Sequence, residues 1–358
     1  MVYLKTLFQN IEKIQWPQGS NLKNNLVVIC TLNRPRELEI LIRNLTQQTS
    51  KNFQLLVVSG APINESYLKT LKFLCNKAEI PLNFMESPPS LTRQRNLALD
   101  CLDRQVETVT FLDDDIILPK DTIENLEKLF HTRQEVHGFG ALTLDVKSRA
   151  KSNTKNNDLR PYGKILKNGT NFYFHPSKVT QEVQWLPGCF MSFRADSVRD
   201  LRFDISRAGV GWGEDVDFSA RVAEKGILQI IDFGNVLHAM SNLNRDNRYT
   251  RILQNDVSRI KLGKNRIASV SVFFVVLSIL LEILFKPLQP AIDFLFQSSK
   301  NGTFKFIKRR KLKDSICFFA NYIRQTNWKF VFTLGNQYSL FTFTRLKNVF
   351  LTILEKRG

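Results

Sequence analysis

An α/β fold with a mostly parallel central sheet, covered by helices on both faces, is what the first third of this chain predicts. Short, apolar, β-branched runs alternate with stretches whose apolar residues recur at helical spacing. That alternation belongs to parallel sheets whose crossovers are helices. The third sign is the run "FLDDD" at 111–115, where acidic residues appear at the carboxyl end of a strand-like segment, the edge at which such sheets collect ligands.

Taken in order, "NLVVICTLN" reads as the opening strand, and Leu38, Leu41, Ile42 and Leu45 then fall at i, i+3, i+4 and i+7 on a helix. "FQLLVVSG" is a second strand ending at Gly60, and "ESYLKTLKFLCNKA" puts Leu68, Leu71, Leu74 and Cys75 on one helical face. "PLNFME" is the third strand and "SLTRQRNLALDCL" the third helix. "ETVTFL" runs into Asp113, Asp114 and Asp115, after which Pro119 and Asp121 can start a helix over "DTIENLEKLFH". From Asp145 to about Gln184 the pattern turns polar and rich in Lys and Asn, with a hairpin expected at Asn168-Gly169. Regular structure resumes with "WLPGCFMSFRADSV", a helix in "GWGEDVDFSARVAEKG" closed by Gly226, and a strand "ILQIIDF". This divides the chain into an N-terminal extension (1–23), a catalytic-type α/β domain (24–250) and a C-terminal helical region (251–358).

The net charge of +18 is unevenly distributed. Residues 241–358 carry 21 Lys+Arg against 6 Asp+Glu, whereas residues 1–240 carry 30 against 27. The basic part needs an anionic partner. Its segment 267–285, "IASVSVFFVVLSILLEILF", is nearly all apolar, but the uncharged stretch ends at Glu282, short of the about 20 residues a bilayer span needs. A helix lying in or against the membrane interface is the preferred reading, with a dipping or spanning helix second. "KFIKRRKLK" at 305–313 and the Phe-rich tail add cations and aromatics suited to an anionic membrane surface, and their apolar company favours lipid over nucleic acid. Five scattered cysteines without metal-like spacing, and an N-terminus lacking a signal-peptide core, predict a cytoplasmic protein, peripheral on the inner face of the membrane.

Three adjacent carboxylates repel one another, so the run is either a solvated acidic turn or half of a cation site. Alternation along an extended segment puts Asp113 and Asp115 on one side and Asp114 on the other. Hard divalent ions, Mg²⁺ or Mn²⁺, take such oxygen ligands and leave positions open for phosphates. A second cluster, Glu214, Asp215 and Asp217, follows Gly211 and Gly213. It can be ordinary helix capping, or it can hold an ionised general base at a helix N-terminus. His238 is either structural or completes a metal site begun by Asp115. Arg93, Arg95 and Asn96 are either surface groups or phosphate and base contacts.

In this order the pieces resemble the inverting family 2 glycosyltransferases of GT-A fold, a Rossmann-like fold. "VVICTLNRP", "RQRNLAL", "FLDDDIILP", "WLPGCFMSFR", "GWGEDVDFSARV" and "VLH" carry the resemblance, over roughly residues 24–250. It implies donor contacts at Thr31, Asn33, Arg34, Ser59, Arg95, Asp113 and Asp114, and metal ligation by Asp115 and His238. It further implies acceptor contacts at Trp185, Gly188, Trp212 and Glu214, with Asp215 as the base. The donor is then a nucleotide-diphosphate sugar, a UDP-sugar first, and the acceptor a glycan or lipid-linked hydroxyl. Ser59 departs from the family's usual Asp at the end of the second strand, so the nucleobase is less firmly implied. Two other readings compete. A nucleotidyltransferase that makes nucleotide sugars usually has a Gly-rich phosphate loop after the first strand, and "CTLNRPREL" has no glycine. A non-catalytic basic membrane-binding protein would account for the tail but not for the ordered motifs.

Overall fold

The computed structural model describes residues 23–145, 161–207, 211–239, 248–265, 267–285, 344–349 and 351–352. The N-terminal extension up to residue 22, "KFIKRRKLK", most of the Phe-rich tail and residues 146–160 of the polar stretch lie outside them.

The α/β region runs β1 (Asn25–Thr31), α1 (Pro35–Thr46), β2 (Gln54–Ser59), α2 (Glu65–Lys77), β3 (Leu82–Glu86), α3 (Leu91–Asp100), β4 (Thr108–Asp113), β5 (Ile116–Ile117) and α4 (Thr122–Thr132). It continues with β6 (Val136–Ala141), β7 (Thr180–Val183), β8 (Phe190–Arg194), α5 (Ala195–Val198), α6 (Glu214–Ala223), β9 (Ile227–Ile231) and β10 (Leu237–His238). Then come α7 (Arg248–Lys264), a 3₁₀ turn (Ile267–Ser269) and α8 (Val272–Phe285).

One eight-stranded sheet has the order β3-β2-β1-β4-β8-β6-β9-β7. β3, β2, β1 and β4 are mutually parallel, as are β6 and β9, while β8 and β7 run against their neighbours. The alternation of strand and helix predicted the parallel half. It did not predict β8, which enters between β4 and β6 and runs backwards. That reversal has a consequence for the site: the N-terminal end of β8 lies at the same sheet edge as the carboxyl ends of β1 and β4.

The helices pack as their periodicity requires. α1 buries Leu38, Leu41, Ile42 and Leu45, and Pro35 at its first turn gives up an N–H that would have no intrahelical partner anyway. α2 buries Leu71 and Cys75 and is capped by Asn64, whose side chain accepts from the Ser66 and Tyr67 N–H groups. All six residues of β2 are buried. Truncating a fully buried side chain such as Leu41 costs about 2–5 kcal/mol. Asp121 precedes α4 as expected, but its carboxylate holds the Asn125 amide instead of capping the helix. The predicted hairpin at Asn168-Gly169 is present as an antiparallel bridge between Ile165 and Asn171, with Gly169 at φ +76°, where a side chain is strained.

The chain divides into two compact units. The first contains the sheet and its helices. The second comprises residues 167–169 and everything from residue 248 onward except the 3₁₀ turn. Its described residues include the helices α7 and α8. Among the described residues no helix is long and apolar enough to cross a membrane.

Candidate active site

Asp113 ends β4 beside Cys30 of β1, and its N–H donates to the Cys189 carbonyl just before β8. The chain then turns so sharply that Asp114 and Asp115 fall inside the fold, and β5 pairs antiparallel with β10, setting His238 opposite Ile116. The Ala239 N–H donates to the Asp115 carbonyl and fixes that register. As a result the His238 Nε2 lies 3.2 Å from Asp115 Oδ1 and 3.8 Å from Asp113 Oδ2. One ligand atom from each of Asp113, Asp115 and His238 lies within 4.8 Å of the others. Two carboxylate oxygens and an imidazole nitrogen at that separation suit a small divalent cation. Burial opposes a charge on His238, but hydrogen bonds with Asp115 and Cys189 and the nearby acidic charge raise it to about 11. Burial also raises Asp113, against the pull of Arg95 and His238.

Asp114 faces the other way, as alternation predicted. Its carboxylate accepts from the Thr31 hydroxyl at 2.7 Å and from Arg34 Nη1 at 2.9 Å. It is buried, where the resemblance implied a donor contact. Thr31 is likewise buried, with its hydroxyl committed to Asp114. Arg34 is only partly buried and bridges toward Asp115 at 3.8 Å. Asn33 is exposed at φ +54°, a left-handed turn position that Asn tolerates.

Arg95 differs most from its sequence reading. Instead of reaching a nucleotide it is 1% exposed, with its guanidinium 5.9 Å from the Phe111 ring centroid and 5.4 Å from that of Phe203. Nη2 donates to the Gly188 carbonyl at 2.8 Å and to Asp113 Oδ1 at 3.3 Å, while Nη1 donates to Glu214. A buried cation is tolerable only with such partners. Arg95 thereby ties the acidic end of β4 to the start of α6. Asn96, its neighbour, exchanges two hydrogen bonds with the Phe203 backbone and holds the loop that carries that ring.

Two left-handed glycines, Gly211 at φ +72° and Gly213 at φ +76°, turn the chain into α6. Glu214, Asp215 and Asp217 occupy its first turn, where the helix dipole favours negative charge. Their surroundings separate them. Glu214 is buried against Arg95, and burial together with Asp215 pushes its carboxyl well above the ordinary range, against the pull of Arg95. It is 5% exposed, where the resemblance implied an acceptor contact. Asp217 is buried between Arg221 at 2.9 Å and Arg207 at 3.5 Å, which anchors the helix. Asp215 alone stays partly open, with Oδ2 accepting from the Gly188 N–H at 2.9 Å and Oδ1 from the Val216 N–H at 2.8 Å. The Gly188 peptide thus meets Asp215 with its N–H and Arg95 with its carbonyl. A Cβ at Gly188 would lie 3.3 Å from Asp215 and Glu214 side-chain atoms, so this position has room for little more than glycine.

Two more expectations need correcting. Trp185 is a core residue: its indole N–H donates to the Phe172 carbonyl and its ring packs on Phe174 and Tyr173. Ser59 is buried, and its hydroxyl is held within its own turn by the Ala61 carbonyl. Trp212, by contrast, is exposed. Arg207, Phe111 and Phe203 went unnoticed in the sequence. Only the arginine left a signal there, as a cation seven residues before Glu214.

Residues 26–202 match the family model described as "Glycosyl transferase family 2". No curated protein matches the chain. Among solved structures, TarS 1-349 of S. aureus, in complex with UDP-GlcNAc, is 15% identical, with 67% of each chain covered and a TM-score of 0.46. Against another S. aureus TarS structure the match spans 67% of this chain but only 40% of that one, at a TM-score of 0.45. The mannosyltransferase PcManGT from Pyrobaculum calidifontis, in complex with GDP-Man and Mn²⁺, is 14% identical over 93% of this chain and 90% of that one, with a TM-score of 0.49.

Proposed function

Residues 26–202 make this chain a family 2 glycosyltransferase of GT-A fold, and from that premise we propose that it is an inverting enzyme. It moves a sugar from a nucleoside-diphosphate donor to a hydroxyl of a glycan or lipid-linked acceptor. The observation that carries this reading is the pairing of a cation-type cluster, Asp113, Asp115 and His238, with one open carboxylate, Asp215.

Asp113, Asp115 and His238 would hold the divalent ion, and the nitrogen donor favours Mn²⁺ over Mg²⁺, which prefers oxygen alone. When bound, the ion supplies the positive charge that stabilises a departing diphosphate. Arg34, partly exposed beside Asp114 and Asp115, is the side chain able to add a second positive charge on that side. Asp215 accepts the proton of the acceptor hydroxyl, held in place by the N–H groups of Gly188 and Val216. A single displacement with a single base inverts the anomeric carbon. UDP is the nucleotide proposed first. The protein works at the inner, cytoplasmic face of a membrane, a reading supported by the excess of cations in residues 241–358.

A screen of nucleoside-diphosphate sugars for hydrolysis, with and without Mn²⁺, tests this function. One or more donors should be turned over only with the metal, and the product of transfer should carry the opposite anomeric configuration. Retained configuration would overturn the inverting mechanism, and metal-independent turnover would overturn the cation site.

A further inference from the structure

α8 is apolar on its outer face as well as its inner one. Its residues Val275, Ser278, Ile279 and Glu282, spaced i, i+3, i+4 and i+7, form the face turned toward the rest of the second unit. Arg259 on α7 donates to Ser278 Oγ and to Glu282 Oε1, both at 2.8 Å, and Arg345 reaches Glu282 Oε2 at 3.3 Å. Arg345 also holds the buried Asp256 with two hydrogen bonds. The opposite face is Phe273, Phe274, Leu277, Leu280 and Leu281, all exposed. A surface helix facing water is apolar inward and polar outward, whereas the outer face of α8 is apolar too. The exposed Leu346 and Leu351, with the exposed Lys347, lie on the segment that Arg345 pins to α7.

We propose that the Phe273, Phe274, Leu277, Leu280 and Leu281 face of α8 lies on an anionic phospholipid bilayer, buried in the headgroup and upper acyl layer with the helix parallel to the surface. This rests on the membrane location proposed above and names the surface responsible. Glu282, the charge that interrupts the apolar run in the sequence, is turned inward to the arginines and leaves the outer face without a charge. The 14 described residues of the helix span about 21 Å, less than a hydrocarbon core of about 30 Å, and suit a helix lying flat. Charge selects lipid over a second copy of the chain. Residues 241–358 carry 21 Lys+Arg against 6 Asp+Glu, so two such regions repel, whereas anionic headgroups attract them.

The test is co-sedimentation of the full chain with phosphatidylcholine vesicles containing phosphatidylglycerol. The wild type should bind, and the triple variant Phe273→Ser, Leu277→Ser, Leu281→Ser should partition about tenfold more weakly or worse. Its donor turnover in solution should be unchanged, which shows that it is folded. Should it misfold, Phe274→Trp keeps the bulk of the face, and the fluorescence it adds to that of the four native tryptophans should be quenched by brominated lipid. Undiminished binding by the triple variant, or an unquenched tryptophan on bound protein, overturns the α8 surface while leaving the membrane location standing. A wild type that ignores anionic vesicles overturns both. A dimer that the triple variant dissociates, without vesicle binding by the wild type, identifies a second copy as the occupant.

Discussion

Each of the two units buries an ionic cluster, and the two clusters balance their charges differently. In the C-terminal unit, Asp256 and Glu282 meet Arg259 and Arg345, carboxylate for guanidinium. At the end of β4 and the start of α6, five carboxylates (Asp113, Asp114, Asp115, Glu214 and Asp215) share Arg34, Arg95 and His238. A balanced cluster can do no more than hold helices together. A surplus of negative charge in a partly closed site is costly, and it is kept where a cation or an electrophilic carbon is to be received.

The largest effect expected from this contrast is on the unbalanced side. Asp215→Asn keeps an acceptor for the Gly188 N–H but removes the base, so turnover should fall about 10²- to 10⁴-fold while donor and Mn²⁺ affinity stay as they were. Steady-state kinetics beside calorimetric titration of the donor would separate the two, and an unchanged turnover would falsify the assignment of the base. On the balanced side Asp256→Ala leaves Arg345 buried with Glu282 alone. The expected loss is about 3 kcal/mol, at the low end for a broken buried pair, with turnover per folded molecule unaltered. Urea melts followed by circular dichroism would measure it; a loss below about 1 kcal/mol would mean that the cluster is not holding the unit together.

The smallest effect concerns the cost of the surplus itself. Burial lifts Asp114 from 3.8 to about 6, against hydrogen bonds from Thr31 and Arg34. Between those values the unfolded chain releases this proton more readily than the folded one does. Folding is therefore favoured by this group at low pH, and that contribution is lost as pH rises toward 6. Asp114→Asn cannot lose it. In chelator, the stability of the variant relative to wild type should rise by up to about 2 kcal/mol from pH 4 to 6.5. A flat difference across that window would show that Asp114 ionises in the fold as it does in the unfolded chain.

Much of this was legible beforehand. The stripe Leu38, Leu41, Ile42 and Leu45 is the buried face of α1, because a 3.6-residue period needs no partner to be recognised. The separation of Asp113 and Asp115 from Asp114 followed from alternation, and the approach of His238 to Asp115 was one of two readings left open. The roles given to Arg95, Ser59, Thr31, Glu214 and Trp185 were not recoverable in the same way. Each depends on what lies opposite: two phenylalanine rings and a glutamate for Arg95, its own turn for Ser59, and a cluster of aromatic rings for Trp185.

Local order in the chain thus determined the strands and helices and the two acidic clusters, since periodicity, turn residues and adjacent charges act over a few residues. Only the tertiary structure decided which carboxylate is sealed and which is open. Reversed β8 brings Gly188 to Asp215, and Arg95 spans from Asp113 to Glu214, 119 positions away in the sequence. Whether a charged group is desolvated and paired or left available depends on contacts between distant segments, and no local pattern encodes them.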